Sequence, residues 1–187
     1  MKWNEHSKLL EGAHAPFGAS KYFWLNYDKE KALAYYKSLL AKKVGTEYHE
    51  IAKQCIDHGI QLKGRNTLAR YVNDAIGFRM RTEQLLVYSK YFFGTADAII
   101  FQEKDKLLRI HDLKTGTIPA KLDQLLIYDA LFCLEYRIDP STINHELRIY
   151  QNNEILSDNP DADQIAPIME KIESFNQFIE EYEEGIV

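Results

Sequence analysis

The sequence is poor in cysteine: Cys55 and Cys133 are the two that its 187 residues contain. Two thiols cannot supply the four cysteine ligands of an iron–sulfur cluster or of a four-cysteine zinc site, so neither group is expected. Both residues fall within apolar helical patterns, which is typical of reduced cysteines in the core of an intracellular protein.

Long apolar runs and several common active-site motifs are also missing. No stretch approaches the roughly 20 apolar residues of a membrane-spanning helix, and the opening residues MKWNEHSKLL contain no apolar segment of signal-peptide type. We therefore expect a cytoplasmic protein without a membrane partner. The sequence has no Walker-type glycine loop, no dinucleotide-binding glycine fingerprint and no Gly-X-Ser-X-Gly elbow. These absences argue against kinases, ATPases, dehydrogenases and triad hydrolases.

Basic residues are scarce only near the C-terminus. The chain has a formal net charge of −5, from 23 basic and 28 acidic residues. Residues 158–187 contain nine of the acidic residues and one basic residue, which leaves 22 basic and 19 acidic residues in positions 1–157. A basic group within that remainder would suit a phosphate backbone, although a solvated charged surface explains it equally well. Its members are Lys63, Arg65, Arg70, Arg79 and Arg81.

Two β-favouring segments, Thr95–Phe101 and Leu107–Leu113, flank a polar turn at residues 103–106. The pattern predicts a hairpin centred between positions 104 and 105, in which Asp97 faces Asp112. Opposed like charges destabilise a sheet, and a bound divalent cation would offset that repulsion. Because side chains alternate along a strand, Lys114 shares the face of Asp112. We therefore expect an ammonium group beside a cation, which is an arrangement suited to phosphate.

Periodicity predicts the remaining elements of one mixed α/β domain over residues 1–187. The segment from Leu107 to Gln151 reads as strand, helix and strand, which predicts a right-handed parallel crossover. Strands are also expected over 83–91 and 145–151. Helices are expected over 29–42, 45–58, 67–76, 120–136 and 163–184.

Several short motifs occur together around the predicted hairpin. They are Gly94-X-X-Asp97, then Asp112-Leu113-Lys114, then Gln124-X-X-X-Tyr128 on the next helix, with Gly45-X-X-X-His49 on an upstream helix. As a set, over roughly residues 20–151, they resemble the RecB-like branch of the PD-(D/E)XK nuclease superfamily, which includes phage recombination exonucleases. The resemblance implies a restriction-endonuclease-like core, with a mixed central β-sheet flanked by helices. The sequence departs from the superfamily pattern at three points: the acidic residue of the motif is the permitted variant Asp112, Asp97 has no adjacent proline, and the cluster cysteines of some relatives are missing.

The resemblance also implies roles for individual residues. One or two Mg²⁺ or Mn²⁺ ions would be bound by His49, Asp97, Asp112 and the carbonyl of Leu113. Lys114 would position or deprotonate the attacking water. Gln124 and Tyr128 would contact the motif residues and the DNA. Lys21 and Arg65 are further candidates for DNA contacts.

These observations lead to three functional hypotheses. The first is a metal-dependent deoxyribonuclease, more specifically an exonuclease in recombination, repair or phage DNA processing. Its partner would be DNA, and a recombination or helicase protein is a candidate second partner. The second is a nuclease-like module that binds nucleic acid or protein without cutting. The third is a nuclease acting on RNA or on structured ends. The oligomeric state stays open.

Overall fold

The computed structural model describes residues 15–185. They belong to two units, Met1–Thr46 and Glu47–Val187, and the expectation of a single domain stays a prediction. Among the described residues, no helix combines the length and apolarity that crossing a membrane requires. Both cysteines are free thiols, with Cys133 buried and Cys55 partly buried.

In the first unit, the first helical element among the described residues is a 3-10 segment over Ala19–Asn26. Neighbouring aromatic rings pack against one another, and Phe17 lies with its ring centroid 6.2 Å from that of Trp24 and 5.7 Å from that of Tyr35. Lys21 lies within the 3-10 segment, where its backbone departs from helical geometry. An exposed aspartate, Asp28, accepts a hydrogen bond from the backbone N–H of Lys31 at 2.7 Å and so caps the helix that follows.

The first helix, α1, runs without interruption over Lys29–Asp57. Two helices, over 29–42 and 45–58, were predicted, and that division is wrong. One glycine costs a helix only about 1 kcal/mol relative to alanine, and no proline accompanies Gly45 to end the helix.

The second unit is an α/β structure with an open, mixed sheet of five strands in the order β1-β2-β3-β4-β5. Neighbouring strands are antiparallel except for β3 and β4, which are parallel, as predicted for the crossover. The strands are β1 (Arg81–Val87), β2 (Phe93–Gln102), β3 (Leu107–Leu113), β4 (Asn144–Gln151) and β5 (Glu154–Asp158).

The predicted hairpin register is confirmed by five β2–β3 pairs, from Ala98 with His111 to Gln102 with Leu107. The ladder ends at Ala98–His111, one position before the expected pairing of Asp97 with Asp112. The strand β5 was not predicted. It follows β4 through Asn152 and Asn153, both with positive φ, a backbone conformation that asparagine adopts more readily than most residues.

Helices cover both faces of the sheet. They are α2 (Thr67–Phe78), α3 (Asp123–Tyr136) and α4 (Ala162–Glu183), besides α1. Leu125 of α3 and Ile165 of α4 share an apolar cluster with Ile110 of the sheet. Ala52 of α1 and Val72 of α2 share a second cluster with other sheet residues. The helix α3 begins at residue 123 instead of the predicted 120, and β1 covers 81–87 instead of 83–91.

A buried ion pair joins α3 to β4. Nδ1 of His145 lies 3.0 and 2.9 Å from the two carboxylate oxygens of Asp129, and Nε2 lies 3.0 Å from the carbonyl oxygen of Pro140. Burial alone lowers the pKa of His145, but the hydrogen bond and charge of Asp129 outweigh burial and raise the pKa overall. Because both ring nitrogens face acceptors, the doubly protonated imidazolium fits this position.

Candidate active site

The candidate site lies where the β2–β3 ladder ends. Beyond the last β2–β3 pair, β3 stays attached to β4, because the N–H of Lys114 donates to the carbonyl oxygen of Tyr150 at 2.9 Å. On the β2 side, the N–H of Leu113 donates to Oδ2 of Asp97 at 3.1 Å. A side-chain carboxylate of β2 therefore bonds to the backbone of β3 at this point.

Asp97 also contacts a histidine from α1. Nδ1 of His49 lies 3.3 Å from the same oxygen, Oδ2. The hydrogen bond to Asp97 raises the pKa of His49, and this effect exceeds the opposing effect of burial. The side chains of His49 and Asp97 are 36% and 23% exposed, so solvent and a ligand can reach both.

A chain of polar contacts runs from the second carboxylate to α3. Nζ of Lys114 donates to Oδ1 of Asp112 and to Oε1 of Gln124, each at 3.0 Å. Nε2 of Gln124 then donates to the hydroxyl oxygen of Tyr128 at 2.8 Å. Gln124 and Tyr128 are one helical turn apart on α3, so they share a helix face. The structure thus connects four of the residues named from sequence through direct contacts.

Gly94 brings β2 close to the ring of Tyr128. A Cβ atom at position 94 would lie 2.7 Å from Cε1 of that ring, well inside van der Waals contact. The absence of a side chain at Gly94 therefore allows Tyr128 its position beside the strand that carries Asp97. This explains physically why a glycine precedes Asp97 in the sequence motif.

Asp112 is an unfavourable place for a negative charge. The residue is 2% exposed, and burial raises the pKa of its carboxyl to about 6, with Asp97 adding repulsion and Lys114 opposing the rise. Oδ2 lies 2.9 Å from Nζ of Lys114, but it forms no hydrogen bond with any described residue. The distance shows an ion pair, and a carboxylate oxygen with one close cation keeps a further lone pair for a second.

The donor set at this site fits a divalent cation of the Mg²⁺ or Mn²⁺ type. Such cations prefer carboxylate oxygens, and the buried Oδ2 of Asp112 keeps a lone pair beyond its ion pair with Lys114. Asp97 and His49 supply a second carboxylate and an imidazole. Within residues 15–185, however, no three His, Cys, Asp or Glu side chains form a ready-made metal site.

Three residues that sequence reasoning missed also line this region. They are Lys53, Tyr71 and Glu83. Together with His49, Ala52 and Asp97 they surround a cavity of about 20 Å³, which is large enough for a water molecule. Lys53 is four residues after His49 on α1, so helical spacing could have placed it on the same face. Tyr71 and Glu83 come from other elements, and no sequence pattern indicated them.

Glu83 has an unusual backbone for a strand residue. Its φ is +46°, and the ladder pairs Thr82 and Gln84 with β2 but skips Glu83, which lies opposite Asp97. A non-glycine residue with positive φ stores backbone strain, and such residues cluster at functional sites. The carboxylate of Glu83 lies 4.0 Å from Nζ of Lys53.

Of the two basic candidates for DNA contacts, Arg65 belongs to the same unit as the site residues. Arg65 is exposed in the loop before α2, and no contact among the described residues joins it to the carboxylates. Lys21 belongs to the first unit. Their assignment to DNA binding stays a prediction.

Comparisons with protein-family models, with curated proteins and with solved structures each found no match.

Proposed function

We propose that this chain is a metal-dependent deoxyribonuclease of the PD-(D/E)XK type, resembling the RecB-like branch, with a restriction-endonuclease-like core. Its reaction is hydrolysis of DNA phosphodiester bonds, as an exonuclease in recombination, repair or phage DNA processing. The observation that carries the proposal is the pairing of two nearby carboxylates, Asp97 and Asp112, with an ammonium group that contacts one of them directly.

The metal would be held by His49, Asp97, Asp112 and the carbonyl of Leu113. A bound Mg²⁺ or Mn²⁺ supplies Lewis-acid chemistry, lowering the pKa of a bound water and neutralising phosphate charge. The burial of Asp112 and the raised pKa of its carboxyl group both favour a positive charge at this position. His49 holds Asp97 in place through the 3.3 Å contact with Oδ2.

Lys114 is the residue that acts on phosphate. Its ammonium is fixed between Asp112 and Gln124, so it keeps one orientation while its remaining N–H bond can reach a phosphate oxygen or the attacking water. There it stabilises negative charge that develops on the phosphate. Gln124 acts as a positioning residue, since it connects Lys114 to Tyr128.

The test is cleavage by the purified chain of end-labelled linear, circular and single-stranded DNA, with Mg²⁺, with Mn²⁺ or with EDTA. The proposal predicts metal-dependent loss of linear DNA with circular DNA intact. Lys114→Ala should lower the cleavage rate by about a hundredfold or more while DNA binding is retained. Lys104→Ala is the matched control, since Lys104 is an exposed lysine in the hairpin turn.

Each other outcome identifies a different function. Loss of circular DNA as well would indicate an endonuclease, and cleavage of RNA instead of DNA would indicate the ribonuclease alternative. Binding of DNA without cleavage under any metal condition would contradict the proposal and favour a binding module. Full cleavage by Lys114→Ala would rule out the role given to the ammonium.

A further inference from the structure

A second polar and aromatic cavity lies at the β1 edge of the sheet, among residues of the second unit. Its volume is about 540 Å³, within the range of small-ligand sites. Its walls combine apolar residues of β1, β2 and α3 with two arginines, Arg79 and Arg81, and one acidic residue, Glu103. None of the three residues has a role in the candidate active site.

The two arginines are available for an anion. Neither Arg79 nor Arg81 forms an ion pair with any residue in the range 15–185, whereas Arg109 and Arg148 both pair with Glu146. Arg79 lies directly after the last residue of α2 and has a left-handed backbone with φ of +59°. Its backbone N–H donates to the carbonyl oxygens of Ala75 and Ile76, which fixes the position of Arg79 beside the cavity. In a chain of net charge −5, two unpaired guanidinium groups lining one cavity suit a phosphate.

The aromatic wall offers a surface for a flat ring. Phe132 lies between Phe101 and Tyr136, with ring centroids 5.4 and 4.8 Å away, respectively. Phe132 is nearly fully buried, while Tyr136 is 51% exposed, so Tyr136 is the member of the group that a ligand can stack on. Nucleic-acid bases stack on such rings without regard to sequence.

The cavity and the candidate active site share two elements, β2 and α3. Tyr128 of the site and Tyr136 of the cavity are eight residues apart on α3, which corresponds to about 12 Å along the helix. Along β2, Asp97 is followed four residues later by Phe101 of the cavity wall. A single nucleic-acid strand bound at both places would have to span this distance between Lys114 and the cavity.

We propose that this cavity binds one nucleotide of a single DNA strand, with its phosphate held by Arg79 and Arg81 and its base stacked on Tyr136. The inference rests on the proposed function only in taking nucleic acid as the ligand, and it does not require cleavage. Glu103 disfavours a phosphate at its own side of the cavity and so helps to orient the nucleotide.

The experiment measures the affinity of the full chain for a short fluorescein-labelled oligothymidine by fluorescence anisotropy, in EDTA and over a series of KCl concentrations. Arg79→Asn and Arg81→Gln should each weaken binding and lower the salt slope by about 0.7, the value of one lost phosphate contact on a single strand. Tyr136→Leu keeps an apolar group against Phe132 but removes the stacking ring. It should weaken binding about fivefold or more without changing the salt slope.

Arg137→Asn is the matched control. Arg137 ends α3 in the same left-handed conformation in which Arg79 ends α2, with φ of +54°, and it does not line the cavity. Thermal melts by circular dichroism show whether each variant is folded. The inference would be overturned if all three cavity variants bound oligothymidine as tightly as Arg137→Asn does. These variants are Arg79→Asn, Arg81→Gln and Tyr136→Leu.

The two proposals fail separately. If the chain binds oligothymidine through Arg79 and Tyr136 but does not cut DNA, the nucleotide-binding cavity is supported and the proposed nuclease activity is contradicted. If the chain cuts DNA and the cavity variants bind oligothymidine as the wild type does, the nucleotide-binding cavity is contradicted and the proposed nuclease activity is supported.

Discussion

The buried carboxylate of Asp112 leads to a stability prediction that needs no metal. Its pKa is raised from 3.8 to about 6, first because burial disfavours the charge and second because Asp97 is nearby. Each pKa unit corresponds to about 1.4 kcal/mol, so ionised Asp112 destabilises the metal-free protein by about 3 kcal/mol. Asp112→Asn removes the charge and preserves the shape of the side chain. We expect this variant to be more stable than the wild type above the folded-state pKa.

Protonation of Asp112 stabilises the folded state, because the pKa is higher there than in the unfolded chain. The favourable contribution is fully present below pH 3.8 and is lost as the pH rises through about 6. Asp112→Asn should therefore match the wild type near pH 4 and exceed it by up to about 3 kcal/mol near pH 8. The gain should shrink in an Asp97→Asn background, because part of the repulsion comes from Asp97.

Urea unfolding followed by far-ultraviolet circular dichroism, in EDTA at both pH values, measures this difference. Asp105→Asn serves as the control, because Asp105 is exposed in the hairpin turn and its replacement should not produce a pH-dependent gain. Adding Mn²⁺ should raise the stability of the wild type and not that of Asp112→Asn, since a ligand stabilises only the state that binds it. A variant no more stable than the wild type near pH 8 would refute the reasoning, and so would a gain of equal size near pH 4.

Two further substitutions test packing around the fold and the site. His145→Gln should lower the free energy of urea unfolding by about 3–5 kcal/mol at pH values below 6.5, because it leaves the buried carboxylate of Asp129 without its cation. Since the pKa of His145 is raised in the folded state, this cost should decline as the pH rises through that pKa. A cost that does not depend on pH would contradict the ion pair. Gly94→Ala should cost about 1–3 kcal/mol and reduce cleavage, because the added Cβ displaces the ring of Tyr128. Gly77→Ala is its control, since nothing lies within 4 Å of a Cβ there and the change should be neutral or stabilising; equal effects of the two alanines would contradict the steric argument.

The hairpin could be predicted because its sequence carries both of the signals that fix a register. Alternating β-favouring residues mark the two strands, and the polar turn at residues 103–106 determines which residues pair. The placement of Asp112 near the end of β3, with Lys114 directly after the strand, agrees with that register. The spacing of Gln124 and Tyr128 likewise predicts a shared helix face, which the structure contains.

Other parts depended on contacts that a single sequence does not encode locally. The meeting of His49 with Asp97 requires α1 to pack against the sheet, and only the family resemblance suggested it. The continuity of α1 through Gly45 reflects a small helix penalty that neighbouring residues overcome. The left-handed backbone of Glu83 has no signal in the residue type, because glutamate seldom adopts it.

A calorimetric titration of Mn²⁺ into the purified chain tests the central claim most directly, namely that Asp97 and Asp112 share one cation. We expect the wild type to bind Mn²⁺, with affinity lowered at least about tenfold in both Asp97→Asn and Asp112→Asn and little changed in Asp105→Asn. Identical Mn²⁺ isotherms for all four proteins, or no binding by the wild type, would contradict it.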